Sequence, residues 1–474
     1  MLSKTDFLMF LEAPMHLWAK AHDQLQQKPL SPYEQHLMLQ GQEVEALARE
    51  YIETNLLPNY SNAQLLWQPT YHDNQFEIRA DALIWDKTGD YYDLYEIKSS
   101  TGVRTDHEYD LTFQLLLLES FLNIRHVFIV HINKDYRYIG EMDIGQFFSV
   151  EEVSEKVEKR REDVLALRRA ATQVLRMPLP NSSLACTKPQ SCPCPNLCHP
   201  NLSENPIYNI PYIGKKARVL REMGIIDINA IPADFPLNDK QQRHVQAVQE
   251  SKPLIDKASI RDALAILEYP LYFLDYETFN PAIPLFPGYR PYKHIVFQYS
   301  LHVIRQPGSD PEHFECLITD KIDPAPVIVR DLLDHLGDSG SIIVWNQSFE
   351  AHRNLDLARH CPSCSAQLDR INDRLFDLMK IFKDGDYIHP DFHGSASLKA
   401  VLPVLCPELR YENLQITNGE EAMMTWYWLQ TGNLDADTLE ETKAAMKAYC
   451  ELDTYAMVAI LHHLQKTIRR LDEP

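Results

Sequence analysis

Residues 271–279 read LYFLDYETF, an apolar segment that carries two acidic residues, Asp275 and Glu277. The run of large apolar and aromatic residues predicts a buried β-strand, in which residues two apart project to the same face. Two carboxylates on one face of a core strand are costly to bury unless they bind a cation, although a strand end that reaches solvent gives the same pattern. The segment therefore predicts an α/β layer structure with a divalent-metal site on its sheet.

Two later segments add groups to this candidate site. The apolar run SIIVWNQ predicts a second strand that ends near Asn346, with Glu350 just beyond it. The segment AYCELDTYAMVAIL predicts a helix, which places Tyr449 and Asp453 one turn apart on one face.

In their order along the chain, these three segments resemble the motifs of the DnaQ-type DEDD exonucleases. That family has a D-x-E motif, then an Asn followed by an acid, and then, in its tyrosine subclass, Y-x3-D. The matching residues are Asp275 and Glu277, Asn346 and Glu350, and Tyr449 and Asp453, with Glu350 where Asp is usual. The resemblance implies an RNase H-like fold and two metal ions, with Tyr449 orienting the attacking water. The implied metal ligands are Asp275, Glu277, Glu350 and Asp453, and Asp377 is either a reserve ligand or a helix-flanking charge.

The N-terminal half carries a second acidic pattern. The segments FEIRADALIWD and YYDLYEIKSST predict two strands joined by a turn at residues 89–90. Glu96 and Lys98 share one face of the second strand, and a hairpin can bring Asp81 beside Glu96. Two carboxylates can hold a divalent cation, and Lys98 can position or deprotonate an attacking water. A solvent-facing strand with alternating charges gives the same pattern.

This second pattern resembles the PD-(D/E)xK nucleases of the RecB type, including the CRISPR-associated RecB-like exonucleases. The opening TDFLMFLEAPMHLW is similar to the start of those domains, and Gln114 matches their glutamine after the motif. Their preceding helix carries G-x-x-x-H, where this chain has Gly41 and Glu45. The resemblance implies a restriction-endonuclease-like fold with Asp81, Glu96, Lys98 and Gln114 as catalytic residues and with Glu45, Asp81 and Glu96 as metal ligands.

Four cysteines lie close together, at Cys186, Cys192, Cys194 and Cys198. Such a cluster suggests zinc or an iron–sulfur centre, although scattered buried thiols are also possible. RecB-like domains with an iron–sulfur cluster have three cysteines after the nuclease core and a fourth near the N-terminus. The position expected for the fourth holds Ala13, so Cys194 is the candidate substitute. The resemblance favours a structural [4Fe–4S] cluster, with zinc as the alternative.

Composition sets further bounds on the protein. Its 474 residues suggest two or three domains, expected at 1–200, 201–266 (a helical connector) and 267–474. The section 207–260 is either a small module that binds a duplex backbone or, as we favour, a helical spacer. Without a membrane span or a signal peptide, the chain is expected to be cytoplasmic and to have no membrane partner. The net charge of −21 predicts that nucleic acid binds a local groove.

Two segments offer contacts for such a strand. The stretch between the first two strands of the C-terminal part interleaves aromatic residues with bases, among them Tyr289, Arg290 and Tyr292. It is either a single-strand platform or a Pro-rich loop that closes a core. Ser397 and Lys399 lie at a predicted helix start, where they can contact phosphate.

As a whole, the chain resembles an uncharacterised bacterial family that fuses these two domains. We expect a Mg²⁺- or Mn²⁺-dependent nuclease that hydrolyses phosphodiester bonds of DNA, in single strands or at ends, during repair or defence. One alternative is an RNA-processing exonuclease in which only the DnaQ-like domain cuts. Another is a catalytically weak nucleic-acid-binding module.

Overall fold

The computed structural model of the protein describes residues 1–180, 185–432 and 438–469. Contacts divide the chain into two compact units of mixed α/β structure. Unit 1 contains Met1–Leu202 together with Pro281–Tyr292, and unit 2 contains Ser203–Asn280 together with Lys293–Pro474. The segment expected to connect two domains, 201–266, therefore falls almost wholly within unit 2, and part of the aromatic and basic loop belongs to unit 1.

Unit 1 is built on a twisted sheet with strand order β2-β5-β6-β7-β8, in which β6 and β7 run parallel and the other pairs are antiparallel. A smaller sheet has the order β1-β4-β3. The strands are β1 (Leu2–Ser3), β2 (Ala63–Trp67), β3 (Thr70–His72), β4 (Phe76–Arg79), β5 (Ala82–Asp86), β6 (Tyr91–Lys98), β7 (Ile124–Ile132) and β8 (Phe148–Glu152). The helices are α1 (Lys4–Glu12), α2 (Pro14–Ala21), α3 (Pro32–Tyr51), α4 (Thr105–Leu118), α5 (Ile144–Phe147), α6 (Ser154–Arg176) and α7 (Pro195–Cys198).

Both faces of the larger sheet are buried. Alternate residues of β5 enter different cores: Leu83 packs into one, and Ala82 and Ile84 pack into the other. This is the period-two alternation that a strand imposes on its side chains. Helices α1, α4 and α6 contribute to the first core, and α3 to the second. The sheet is therefore a rigid platform for the polar residues at its strand ends.

The charged run EEVSEKVEKRREDVLALRRAATQVL predicts one long helix over about residues 150–176, but the helix begins later than this pattern indicates. Residues 148–152 form β8, which pairs with β7, and α6 begins at Ser154. Phe148 and Val150, two residues apart, both pack into the second core. The charged residues beside them favour a helix in the sequence pattern. Pairing with β7 at the edge of the sheet buries these apolar side chains, and this stabilises a strand instead.

Unit 2 contains a sheet with the order β12-β11-β10-β13-β14. Strand β10 lies at its centre, antiparallel to β11 and parallel to β13. The strands are β9 (Leu254–Ile255), β10 (Leu271–Phe279), β11 (Ile295–Ile304), β12 (Glu312–Leu317), β13 (Ser341–Val344), β14 (Leu375–Asp377) and β15 (Tyr387–Ile388). The helices are α8 (Lys215–Glu222), α9 (Asp239–Gln249), α10 (Lys257–Leu264), α11 (Ala325–His335), α12 (Gln347–His360), α13 (Ser365–Asp373), α14 (Lys380–Lys383), α15 (Leu398–Leu405), α16 (Gly419–Thr431) and α17 (Leu439–Arg469).

The helical section before β10 has a small core of its own. Ile210 and Leu220 are buried there together with Val245 and Val248 of α9. A two-stranded sheet joins β9 to β15, so the section is also hydrogen-bonded to a later part of unit 2. It is thus a packed part of unit 2.

Candidate functional site

The hairpin of β5 and β6 places Asp81 beside Glu96. Ala82 pairs with Tyr95, so Asp81 lies next to the position of Glu96 on the neighbouring strand. The Asp81 carboxylate accepts a hydrogen bond from the backbone N–H of Ile97 at 2.8 Å. Glu96 is 1% exposed, so its charge depends on protein groups for stabilisation.

Two ammonium groups and one amide surround Glu96. Its Oε1 accepts hydrogen bonds from the Nζ atoms of Lys4 and Lys98, each at 2.7 Å. Its Oε2 accepts one from Nε2 of Gln114 at 2.9 Å. Lys98 also donates to Asp110 at 2.8 Å, and Gln114 donates to the other Asp110 oxygen at 3.0 Å. With Asp81, the group therefore contains four predicted residues, and Lys4 and Asp110 are two that the sequence analysis did not identify.

Asp110 and Lys4, the two residues that were not predicted, differ in whether the local sequence pattern could have indicated them. Asp110 lies one helical turn before Gln114 on α4, so helical spacing alone could have found it. Lys4 is far from the hairpin in sequence and is brought there by α1, so it carried no local signal.

Charge interactions within this group separate the pKa values of its acids. Burial and then the neighbouring charge of Glu96 raise the pKa of Asp81 to about 7. Burial also disfavours the charged form of Glu96, but Lys98 and Lys4 outweigh it and hold the pKa of Glu96 below its ordinary value. Burial opposes the charge of Lys98, but Glu96 and Asp110 more than compensate and raise the pKa of Lys98. Lys98 is thus protonated at neutral pH, which favours a hydrogen-bond donor over the proton-accepting role considered above.

Glu45, the predicted metal ligand on α3, has other partners. Its Oε1 accepts hydrogen bonds from Arg49 Nη2 at 2.7 Å and from Gln68 Nε2 at 3.1 Å. Gln68 also donates its backbone N–H to the carbonyl of Asp81 at 3.0 Å. Glu45 is therefore linked to the acidic group through Gln68, and its role as a metal ligand stays a prediction.

An open cavity of about 540 Å³ adjoins Lys98 in unit 1. It is lined by Ser99, Ser100, Arg104 and the ring of Tyr292, among other residues. Tyr292 belongs to the aromatic and basic loop, whose Ala282 is fully buried in the second core of unit 1. The loop thus closes a core, which is one of the two interpretations given above, and its Tyr292 also lines the cavity beside Lys98.

The cysteine cluster is completed by a histidine. Ligand atoms of His16, Cys186, Cys192 and Cys198 all lie within 4.8 Å of one another, and all four residues are buried. Nε2 of His16 is 3.6 Å from Sγ of Cys192. His16 lies three residues after Ala13, the position at which a cysteine was expected, and the sequence reasoning missed it. These residues can bind a metal.

Cys194, the proposed substitute, lies at the edge of this group. Its Sγ is 3.6 Å from Sγ of Cys198, and its backbone N–H donates to Sγ of Cys192. Nε2 of His199 approaches Sγ of Cys186 at 3.3 Å. The cluster thus offers more donors than one ion needs, and His16 rather than Cys194 is in its most compact set.

In unit 2, three elements bring four carboxylates together. Strand β10 provides Asp275 and Glu277, and α17 provides Asp453. Glu350, in the first turn of α12, is 2% exposed, and its Oε2 has no hydrogen-bond partner among the described residues. Cys450 of α17 adds a thiol whose Sγ is 3.9 Å from Oδ2 of Asp275.

Each of these carboxyl groups has a raised pKa. Burial and then neighbouring carboxylates hold the pKa values of Asp275, Glu277 and Glu350 well above their ordinary values. Burial raises the pKa of Asp453 to about 6, although a hydrogen bond from Tyr411 opposes the rise. Within the described ranges, none of the four forms a salt bridge with a lysine or arginine. Oxygen donors in such surplus fit a hard divalent cation.

Two tyrosines and a lysine line the same site. The hydroxyl of Tyr411 donates a hydrogen bond to Oδ1 of Asp453. Nζ of Lys399 lies 5.4 Å from the ring centroid of Tyr411 and 5.2 Å from that of Tyr449. Tyr411 was missed because it lies in a short turn without a motif, at residues 411–413.

Gly419 provides the open space beside these tyrosines. It begins α16, and a Cβ added there would lie 3.7 Å from Oε2 of Glu277 and 3.9 Å from the hydroxyl oxygen of Tyr449. The small residue thus keeps free the space next to two proposed functional groups.

The remaining predicted residues of unit 2 lie at the ends of its strands and helices. Asn346 is exposed, immediately precedes α12 and accepts a hydrogen bond from Ser348 at 2.8 Å. Asp377 ends β14 and accepts one from the backbone N–H of Met379 at 3.1 Å. Ser397 immediately precedes α15. The roles of all three stay predictions.

Across the residues that the structure describes, no helix combines the length and apolarity needed to cross a bilayer.

Residues 272–397 match the family model of a domain of unknown function, DUF2779. The matched segment includes Asp275, Glu277 and Glu350 and ends before Tyr449 and Asp453. The match therefore covers three of the four carboxylates of the acidic site in unit 2.

Three curated relatives are similar to part of the chain. The uncharacterized protein MG366 homolog of Mycoplasma pneumoniae is 30% identical over 210 residues, which cover 41% of this chain and 32% of the relative. The uncharacterized protein MG366 of Mycoplasma genitalium is 28% identical over 220 residues, covering 42% and 32%. The uncharacterized protein UU173 of Ureaplasma parvum is 26% identical over 227 residues, covering 44% and 33%. The matched part of the chain thus spans about a third of the length of these relatives.

Proposed function

We propose that this protein is a divalent-metal-dependent nuclease that hydrolyses phosphodiester bonds of DNA, in single strands or at ends, in repair or defence. The observation that carries the proposal is the buried group of Asp275, Glu277, Glu350 and Asp453 in unit 2, whose pKa values stay raised because none of the four forms a salt bridge with a lysine or arginine in the described residues. Such a group is costly to maintain unless cations occupy it. Phosphodiester hydrolysis is the chemistry that clustered carboxylates and metal ions commonly support.

The proposed folds are restriction-endonuclease-like for unit 1 and RNase H-like for unit 2. Supporting the first, a hairpin carries Asp81, Glu96 and Lys98, and α4 carries Gln114 against them. Supporting the second, the central strand carries Asp275 and Glu277, and helices bring the remaining acids to it. The RecB-like and DnaQ-like relationships are proposals on the same grounds.

In unit 2, each protein group has a separate role. Bound Mg²⁺ or Mn²⁺ would polarise the phosphate and favour deprotonation of a water molecule. Asp275, Glu277, Glu350 and Asp453 would hold the ions. Tyr449, one turn before Asp453, orients the attacking water through its hydroxyl, and Tyr411 fixes the Asp453 carboxylate by donating a hydrogen bond to it.

The lysine of this site faces the substrate in our proposal. Lys399 is exposed and lies above both tyrosine rings, so its ammonium group is placed to attract the phosphate of an incoming strand. Its positive charge also lowers the pKa values of Glu277 and Asp453, which opposes part of the effect of burial.

In unit 1, Lys98 donates hydrogen bonds and Gln114 holds Glu96 and Asp110 in place. Asp81 and Glu96 would hold the cation. The neighbouring cavity offers hydroxyl groups and the guanidinium of Arg104, which suit a phosphate backbone. Unit 1 thus contains a second nuclease site in this proposal.

A narrower function is favoured by one observation. Lys4 and Lys98 already neutralise much of the charge in the acidic group of unit 1, so a cation must compete with them there. In that case unit 2 alone cuts, and RNA-processing exonuclease activity is the corresponding candidate function.

The cysteine cluster would be a structural centre that fastens the end of the first 200 residues. Its donor set of three thiols and one imidazole fits zinc as well as the [4Fe–4S] cluster expected from the sequence. A tetrahedral zinc ion sets its ligand atoms about 3.3–3.8 Å apart. The spacing between Cys192 and His16, 3.6 Å, lies in that range, whereas a cluster of several iron and sulfide atoms needs its ligands farther apart. The geometry therefore favours zinc.

The proposed activity is tested with purified full-length protein and end-labelled single- and double-stranded DNA and RNA. We expect cleavage with Mg²⁺ or Mn²⁺, none with EDTA, and loss of cleavage in the double variant Asp275→Asn, Asp81→Asn. The exposed Asp310→Asn is the matched control and should cut normally. Absence of cleavage on every substrate, or full cleavage by the double variant, would contradict the proposal.

A further inference from the structure

Unit 2 contains a cavity of about 220 Å³ that the proposed chemistry does not use. Aromatic side chains form its inner wall: Phe382, Tyr387 and Phe392, which pack against one another at centroid distances of 5.8 to 6.1 Å. Its size is below the roughly 300–1,000 Å³ typical of pockets for drug-sized ligands. A cavity of this size and lining suits one flat ring system.

One residue in the wall of this cavity has a buried polar atom without a hydrogen-bond partner. His244 of α9 lines it and is 3% exposed, and its Nε2 forms no hydrogen bond with any residue that the structure describes. Burial lowers the pKa of His244 to about 4, so the ring is neutral at physiological pH. A buried ring nitrogen without a partner is costly, and a ligand atom that donates or accepts a hydrogen bond would relieve that cost.

Positive charge and one exposed ring surround the opening. Lys240 and the exposed Lys383 line it, although Asp384 and Asp386 offset part of their charge. Tyr212 is 77% exposed, with Nζ of Lys240 6.0 Å from its ring centroid. An aromatic ring beside ammonium groups is the combination with which proteins stack a base and neutralise its phosphate.

The cavity is joined to the acidic site by a short piece of chain. Ala396 lines the cavity, and its carbonyl accepts a hydrogen bond from Nε1 of Trp345 at 3.0 Å. Three residues later, Lys399 lies over the ring of Tyr449 in the proposed nuclease site. A strand that follows this chain segment could place one nucleotide in the cavity while another reaches the acids.

We propose that this cavity binds a single unpaired nucleobase of the strand that unit 2 cuts. The aromatic wall and Tyr212 stack on the base, and Lys240 and Lys383 contact the adjoining phosphate. Nε2 of His244 hydrogen-bonds the edge of the base once the imidazole ring has turned toward the cavity. The inference rests on the proposed nuclease function and specifies its substrate: a strand with at least one base unstacked, hence single-stranded or frayed.

The test is equilibrium binding of fluorescent single-stranded oligonucleotides to full-length protein in EDTA, measured by anisotropy. Each oligonucleotide carries one abasic nucleotide, moved stepwise from either end. We expect one position at which the abasic nucleotide weakens binding about 5- to 100-fold, the range for loss of one stacked base. In Tyr212→Ala the loss of affinity caused by the abasic nucleotide at this position should fall below about 2-fold. This is roughly the smallest difference in affinity that the measurement resolves. The control Lys252→Ala, a change at an exposed lysine that does not line the cavity, should keep the full penalty.

A second variant tests the cavity independently, in case Tyr212→Ala disturbs the fold. His244→Phe keeps a ring of similar shape and removes the unpartnered nitrogen, so it should weaken binding of the normal strand more than that of the abasic strand. A penalty that is absent in the wild-type protein, or unchanged in both variants, would overturn the inference. Cleavage assays with Mn²⁺ separate the two proposals: cleavage without a position-specific penalty refutes only the cavity, and a penalty without cleavage refutes only the nuclease.

Discussion

The two acidic groups of this protein differ in how their charge is balanced. In unit 1, Glu96 accepts hydrogen bonds from the ammonium groups of Lys4 and Lys98, each at 2.7 Å. In unit 2, Asp275 and Glu277 have no such partner among the described residues, and burial holds their pKa values well above the ordinary range. The charges of Lys4 and Lys98 offset much of the negative charge of the first group, whereas the acids of the second group form no salt bridge in the described residues.

This difference shows that two similar acidic motifs can have their negative charge stabilised in different ways. A buried carboxylate next to two lysines stays ionised and stable without metal. A buried carboxylate next to other carboxylates either takes up a proton or binds a cation. The balance of charge thus predicts which site depends on metal for its stability.

The largest expected effect concerns Tyr449 in unit 2. Tyr449→Phe should lower cleavage by roughly 10²- to 10⁴-fold, as expected when a positioned proton-transfer group is lost, and should leave metal binding unchanged. The measurement is the single-turnover rate in a Lys98→Ala background, so that unit 1 does not contribute.

Tyr455→Phe is the matched control, because this tyrosine is 40% exposed on the same helix. If Tyr449 were only a core aromatic, its replacement by Phe would be nearly neutral. A full rate in Tyr449→Phe would therefore rule out its proposed role.

The next effect is the pH dependence of metal-free stability. Burial raises the pKa of Asp453 from 3.8 to about 6, so its contribution to stability is complete below about pH 4 and is lost as pH rises through 6. That change corresponds to about 3 kcal/mol, and the raised pKa values of the neighbouring acids act in the same direction.

We therefore expect the Tm of unit 2 in EDTA to fall between about pH 4 and pH 8, by several degrees. Mn²⁺ should restore it, with a gain that grows with pH. Asp453→Asn should flatten the metal-free profile. Glu96 in unit 1 should behave in the opposite way, because its lowered pKa gives stability that is lost as pH falls through its folded value. A metal-free Tm that rises across this pH range would contradict the comparison.

A smaller effect is expected from Lys98→Ala. The substitution removes one of two ammonium groups from Glu96 and leaves Asp110 with fewer partners. Because Lys4 still contacts Glu96, we expect a loss of about 1–3 kcal/mol rather than the roughly 3–5 kcal/mol of a fully broken buried pair.

Urea denaturation measures this loss, with the exposed Lys134→Ala as the control. The corresponding change in unit 2, Lys399→Ala, should cost much less, because Lys399 forms no salt bridge with an acid in the described residues. Equal losses of unfolding free energy in Lys98→Ala and Lys399→Ala would show that the two acidic groups do not differ in how lysines stabilise them.

The smallest expected effect is the change in metal content on replacing Cys194, which distinguishes it from the metal ligands of the cysteine cluster. Cys194→Ser should retain most of the bound metal, whereas His16→Ala and Cys192→Ser should lose it, because His16 belongs to the compact donor set and Cys194 lies at its edge. Elemental analysis of the purified proteins measures zinc and iron together. Metal loss in Cys194→Ser as severe as in Cys192→Ser would show instead that Cys194 is the fourth ligand.

Local patterns predicted most of the elements that carry these sites. The run LYFLDYETF forms β10 over the full predicted range, Leu271–Phe279, because apolar residues throughout leave a strand buried on both faces as the favourable outcome. The hairpin that holds Asp81 and Glu96 was likewise visible in its alternation and its turn. Such features depend on neighbours in sequence.

The contacts that complete the sites were not visible in this way. Lys4, His16 and Tyr411 reach their partners through tertiary packing, over separations of 92, 176 and 42 residues. The loop at 281–292 joins unit 1 although it follows β10 of unit 2, and composition alone gave no sign of that path. Charge balance at each site is set by these distant residues, so it could not be inferred from the motifs.

Calorimetric titration of Mn²⁺ into metal-free protein at pH 7.5 measures whether the acids of unit 2 bind cations. We predict that Asp275→Asn with Glu277→Gln abolishes most of the binding heat, whereas Asp81→Asn with Glu96→Gln leaves most of it. Binding that survives the first pair of changes and disappears with the second would contradict the account.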